Sequence, residues 1–166
     1  MANGDELPSD QILSMRDDLD FAHAIMRHAV RANLSVFSFA GLRIPPLLQS
    51  LEPNGELPKP SEFAGELITF QEQLYDRIVS LADNKRMLGE IWGFNERSRA
   101  FRQSELATAK SARKALTETA DLVDALIVQD AERVLDILDC SLRRRLLLLA
   151  GQTGTILPFP DVRRHK

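Results

Sequence analysis

The residues that could carry chemistry are few, and their spacing suits little of it. The single cysteine, Cys140, excludes an internal disulfide and any cysteine-based zinc site. It lies beside the apolar positions Leu138 and Leu142, so it reads as a buried, inert thiol. His23 and His28 fall in one predicted helix at a spacing of five, whereas a helical metal pair needs three or four. Asp17, Asp18 and Asp20 belong on a solvated helix face. There is no Ser-His-Asp order in a sensible context, no phosphate-cradling glycine loop and no His-Glu-x-x-His. These residues point away from an enzyme and towards binding.

Charge narrows the partners. The net charge of −3 and a pI near 5.6 do not suit a protein that holds a polyanion by counterion release. Arg143-Arg144-Arg145 lies in the C-terminal half of a predicted helix, where cations favour the macrodipole. Arg163-Arg164-His165-Lys166 reads as a charged tail. Direct nucleic-acid binding is not expected. The start, M-A-N-G-D-E-L-P-S-D, is too polar and acidic for a signal peptide, and no run approaches the ~18 apolar residues of a membrane span. The helices also lack the basic polar face of a membrane-surface helix. The cytoplasm is the default expectation.

Helices must position whatever site exists. At 166 residues, 44% of them hydrophobic and 27% charged, the chain suits one globular domain. A leader over 1–8 precedes a helix from a Ser9 cap to about Asn33, striped by Ile12, Met15, Leu19, Ala22, Met26, Ala29 and Val30. Residues 33–41 read as helix or turn carrying Phe37 and Phe39 inward. Pro45-Pro46 suits the first turn of a short helix to about Leu51, and the proline-rich 52–60 is a linker. Ser61 should cap the next helix, striped by Phe63, Leu67, Phe70, Leu74, Ile78 and Leu81. That helix should stop near 82–84, where Asn84 tolerates the left-handed conformation. A further helix with Met87, Leu88, Ile91, Trp92, Asn95 and Ser98 should end near Arg102, and Ser104 should open the next. Residues 117–150 read as a helical hairpin broken at 128–130, its second helix capped by Asp130 and striped by Val134, Leu138, Leu142, Leu146 and Leu149. The fold class is all-α: an antiparallel bundle of six to seven helices over 9–150, with a tail over 151–166.

Two segments carry a family resemblance. One is 62–102, with A-D-N-K-R-M-L and E-I-W-G-F-N-E-R-S-R-A-F-R; the other is 122–142, centred on L-V-D-A-L-I-V-Q-D-A-E-R-V-L-D-I-L. With Met15-Arg16-Asp17-Asp18-Leu19, they resemble the FCD domain. That is the all-helical effector-binding and dimerisation domain of GntR-type bacterial transcription regulators. The resemblance implies a small-molecule effector site and a dimer, or association with a full-length regulator. Such domains hold a divalent metal through one Asp and three His. The matching positions here are Leu67, Gln71, Thr119 and Ser141, so the resemblance implies a site without metal or other cofactor. Nothing in 1–9 supplies the family's winged helix-turn-helix, so the expectation is an effector domain that does not itself read DNA.

The family-matched Arg16, Gln71, Thr119 and Ser141 would then converge at the bundle centre, joined by Asn95 and Arg102. An arginine fork beside hydroxyl and amide groups suits a small carboxylate, since its two donors match two oxygens. The plainer alternative is that Thr119 and Ser141 bond their own helix carbonyls, Gln71 is solvated, and the chain is a bundle serving only protein interaction or dimerisation. Burial of Arg16 in a pocket would favour the effector reading.

Overall fold

The computed structural model describes residues 9–152, so the leader expected over 1–8 and the tail from 153 onward lie outside the described residues. Among those described there are seven α-helices and no strand, the all-α bundle that the patterning implies. They are α1 Ser9–Asn33, α2 Pro46–Gln49, α3 Pro60–Val79, α4 Lys85–Arg97, α5 Arg99–Glu105, α6 Ala109–Ile127 and α7 Ala131–Gly151. None is long and apolar enough to cross a membrane. The long α1 packs on α7, α3 and α4, while α6 and α7 form the hairpin that closes the bundle. The core is aliphatic, built on residues such as Ile12, Ala29, Leu74, Ile78, Ile91, Leu116, Ala125, Val134 and Leu149.

Several boundaries differ from expectation, each for a reason in the capping chemistry. Ser61 does not cap α3. Pro60 occupies the first turn, where its missing N–H costs nothing, and the Glu62 carboxylate accepts from the Lys59 N–H at 3.1 Å. The left-handed residue after α3 is Asp83, at φ +48°, following a 3₁₀ turn over Ser80–Ala82. Asn84 is used instead as the cap of α4, its side-chain oxygen accepting from the N–H groups of Arg86 and Met87. The helix expected to end near Arg102 is broken at Ser98 and resumes as α5. Ser104 cannot open α6, because its hydroxyl is donated back to the Phe101 carbonyl at 2.6 Å; Thr108 caps α6.

The α6–α7 hairpin turns as its pattern predicts. Gln129 takes the left-handed conformation at φ +55°. The Gln129 and Asp130 N–H groups return to the carbonyls of Leu126 and Ala125, the double closure that ends many helices. The Asp130 carboxylate then caps α7, accepting from the Arg133 N–H at 3.1 Å. Residues 33–41 form a 3₁₀ turn over Leu34–Val36, with Phe37 buried, Phe39 half-buried and their rings edge to face at 4.9 Å. The proline-rich 52–60 is a tethered connection: the Arg113 guanidinium, from α6, donates to the carbonyls of Glu52, Pro53 and Gly55. Cys140 is exposed, against expectation. It stands two residues, and so about 200° of helix, from Leu138, which points it away from the core.

Asp130→Ala should lower stability by about 1 kcal/mol, because the first turn of α7 loses its acceptor. In urea titrations the midpoint should fall with the slope unchanged.

Candidate functional site

The bundle centre contains a buried polar layer assembled from five helices. Gln71 and Tyr75 are one turn apart on α3, on a face shared with Leu67, Leu74 and Ile78. Gln71 is buried and donates from Nε2 to the Thr119 hydroxyl of α6 at 3.0 Å. Thr119 passes its own proton to the Ala115 carbonyl at 2.8 Å. The half-buried Ser141 of α7 lines the same cavity, of about 20 Å³, together with Tyr75, Arg144 and Arg145. Gln71, Thr119 and Ser141 therefore do meet. Thr119 bonds its own helix carbonyl as the plainer alternative has it, but Gln71 is not solvated.

Asn95 and Arg102 join this layer from the other side of Tyr75. Arg102 is fully buried, with its guanidinium 4.9 Å from the Tyr75 ring centre and 5.5 Å from that of Phe94. Its Nη2 donates to Asn95 Oδ1 at 3.0 Å, and Asn95 Nδ2 donates onward to Asp76 at 3.0 Å. Burial pushes Arg102 down to about 10. Burial, and then Glu72, raise the Asp76 carboxyl against hydrogen bonds from Trp92 and Asn95. Arg16 stands apart. It is half-buried on α1, lines none of the cavities described here, and makes no hydrogen bond or ion pair among the described residues.

The strongest part of the layer is formed by arginines that the sequence suggests only as cations favouring a helix macrodipole. Arg144 and Arg145 do not serve as exposed cations at a helix end. Glu105 of α5, with no exposure, accepts from Arg145 Nε at 2.9 Å and Nη2 at 3.2 Å, and from Arg144 Nη2 at 2.9 Å. Arg145 Nη1 reaches the Tyr75 hydroxyl at 3.0 Å, and Arg144 also holds Glu118 of α6. Burial by itself would raise the Glu105 carboxyl; the Arg145 and Arg144 guanidiniums outweigh it and hold the group below the usual carboxylate range. A signal for this was present. Arg145 is seven residues after Leu138 and four before Leu149, squarely on the apolar stripe of α7.

A second cavity of about 20 Å³ lies on the α1 side of Tyr75, lined by His23, Met26, Phe94, Ser141 and Arg145 among others. His23 Nε2 pairs with Asp139 at 2.7 Å, and Arg27 donates to the same oxygen at 2.5 Å. Burial lowers the His23 pKa in spite of that carboxylate, which favours the neutral ring. Each internal cavity has room for about one water. Among the described residues, no three His, Cys, Asp or Glu side chains converge as metal ligands would.

A much larger concavity is at the surface, between α6 and the segment around α2. It encloses about 560 Å³ over an apolar floor that includes Ile44, Leu48, Leu51, Val123 and Ile127. Its only charged lining residues are Asp121 and Asp124. Within it Ile127 is 58% exposed, and outside its lining Val128 is 65% and Val36 61% exposed. A bond from Gln129 Nε2 to the Ser35 carbonyl at 3.0 Å ties the two stretches carrying them together. The sequence reading missed this groove because its two walls are separated by more than sixty residues.

Glu105→Gln should destabilise the fold by about 3 kcal/mol or more at neutral pH, since it leaves Arg145 buried without its counter-charge. The pH dependence has a definite sign. A carboxylate whose folded pKa is depressed contributes fully above its unfolded value, about 4.3, and loses that contribution as pH falls through the folded one. Urea midpoints measured between about pH 5 and pH 3 should therefore fall more steeply for the parent chain than for the variant. Equal slopes would show that Glu105 is not held as a carboxylate.

The chain matches no protein-family model, no curated protein and no solved structure, so nothing in these comparisons identifies an FCD domain.

Proposed function

We propose that this chain is a helical docking module whose α2–α6 groove receives a short segment of a partner protein. The observation that carries the reading is the groove itself: about 560 Å³ of mainly apolar concavity, continuous with the exposed Ile127, and charged only by Asp121 and Asp124. Exposed apolar surface joined to a concavity is characteristic of protein-binding sites. Two carboxylates at such a site favour a segment with apolar anchors flanked by Lys or Arg. They oppose a two-fold pairing of the same groove in two copies, which would set aspartates against aspartates. No chemistry is assigned to the groove.

The effector reading, a metal-independent small-acid sensor of the FCD type that also dimerises, has one observation in its favour. Gln71, Thr119 and Ser141 do line one cavity. At about 20 Å³, that cavity falls far short of a three- or four-carbon acid, and Arg16 does not reach it. An acid would have to open the core to enter. Thermal shifts with a panel of small carboxylates decide the point: saturable stabilisation by any of them favours the sensor.

The docking reading is tested by fluorescence anisotropy of the full chain with a basic amphipathic peptide. The peptide carries Leu and Phe anchors at helical spacing and lysines on its flanks. A Kd on the order of 10 µM is expected, weakening as salt rises. Ile127→Asp, at an exposed position, should weaken binding at least tenfold without loss of fold, and Asp121→Lys with Asp124→Lys should remove most of the salt dependence. Binding that ignores all three substitutions would sink the reading.

A further inference from the structure

The two fully enclosed arginines of the polar layer are treated differently. Arg145 faces two oxygens of Glu105 and the Tyr75 hydroxyl. Arg102, against the same Tyr75 ring, has only the neutral Asn95 oxygen as an acceptor. No carboxylate lies within ion-pair distance of it among the described residues, although it has no exposure at all. Its Nε and Nη1 have no protein partner, and neither does the hydroxyl of Ser98. Ser98 is also fully enclosed and sits one turn before Arg102. Two guanidinium donors and a hydroxyl are thus left unused around a buried cation that touches no carboxylate.

A buried cation is tolerated when it is both hydrogen-bonded and neutralised. The aromatic faces of Tyr75 and Phe94 supply part of the attraction. The carboxylate of Asp76 acts only at second hand, through the Asn95 amide. Glu72 and Glu105 attract the charge from beyond ion-pair distance, and nearby Arg145 repels it. A water could accept from Arg102, yet it would leave the charge in place.

We propose that Arg102 and Ser98 form a binding site for one small monovalent inorganic anion of chloride size. Three donors lack an acceptor and no carboxylate lies within contact distance, so a single small anion fits them. Arg102 and Ser98 have no exposure, so only a single small ion could be enclosed with them. Nε and Nη1 of Arg102 would donate to the anion, with the Ser98 hydroxyl as a third donor. The site is independent of the α2–α6 groove and of any partner that docks there.

The test uses the full chain at fixed ionic strength, with sodium chloride, bromide, formate or gluconate as the salt. Chloride and bromide should raise the Tm saturably, by about 5 °C over gluconate. Bromide should also appear as an anomalous scatterer within contact distance of the Arg102 guanidinium in crystals. Ser98→Ala should raise the half-saturating chloride concentration roughly tenfold. Arg102→Met, which keeps the volume and removes the charge, should abolish the anion dependence. If Arg102→Met does not fold, the bromide position and the Ser98→Ala shift carry the test. An identical Tm in all four salts, or a chloride effect that survives Arg102→Met, would overturn the proposal. So would stabilisation by formate alone, which would assign the donors to a carboxylate.

Discussion

The contact between Glu105 and Arg145 is the constraint on which the rest of the interior depends. Neither group can be moved to water without dismantling the bundle, and neither is tolerable inside without the other. Their pairing fixes α5 against α7, Arg144 extends it to Glu118 on α6, and the Tyr75 hydroxyl extends it to α3. Aliphatic packing alone would hold these helices together while tolerating small slides and rotations, because hydrophobic attraction has no direction. A network of directed bonds among four helices has one good arrangement. The hydrophobic core supplies most of the attraction, and the charged layer selects the register.

That division of labour explains what could be read from the sequence. Periodicity located every long helix, the α6–α7 hairpin and the Asp130 cap, because those depend on local spacing and on side chains that bond their own backbone. It also placed Asn95 and Ser98 on an apolar stripe, and both are buried. Arg145 occupies an equally clear stripe position, but its residue type points instead to a cation favouring the helix macrodipole. The burial of an arginine is settled by a carboxylate forty residues away, Glu105, and no window of local sequence contains both. Boundaries failed for the related reason that several side chains compete for one role. Ser61, Asn84 and Ser104 are each plausible where they were expected to act, until Pro60, Asp83 and Thr108 take the position first.

The candidate site divides in the same way. Gln71, Thr119 and Ser141 were gathered from a family pattern, and they do lie around one cavity. Asn95 and Arg102 were added to them, and Tyr75 joins the two groups as the plate between Arg102 and Arg145. Arg16 has no such connection: it lines neither cavity beside Tyr75, although Leu19, one turn on, lines one of them. A pattern of helix positions carries information about which faces turn inward. It does not carry the size of the space between them, and that size decides what can enter.

Size and charge then separate the interior from the surface. The interior layer is rich in donors and acceptors but offers about 20 Å³ at a time, so it suits waters or single ions and excludes extended ligands. The α2–α6 groove offers far more room and only two charged lining residues. It persists because Arg113 fastens the carbonyls of 52–55 to α6, while Gln129 fastens the turn at Ser35 to the start of α7. Both tethers are side chains of the α6–α7 hairpin, and they hold the α2 segment at each end without filling the space between. Leu48 and Val123 already pack into the core, so hydrophobic attraction joins α2 to α6 but does not by itself set the width of the groove above them. Tethers that bond backbone carbonyls set the distance instead, so the groove belongs to the fold and does not require a partner to open it.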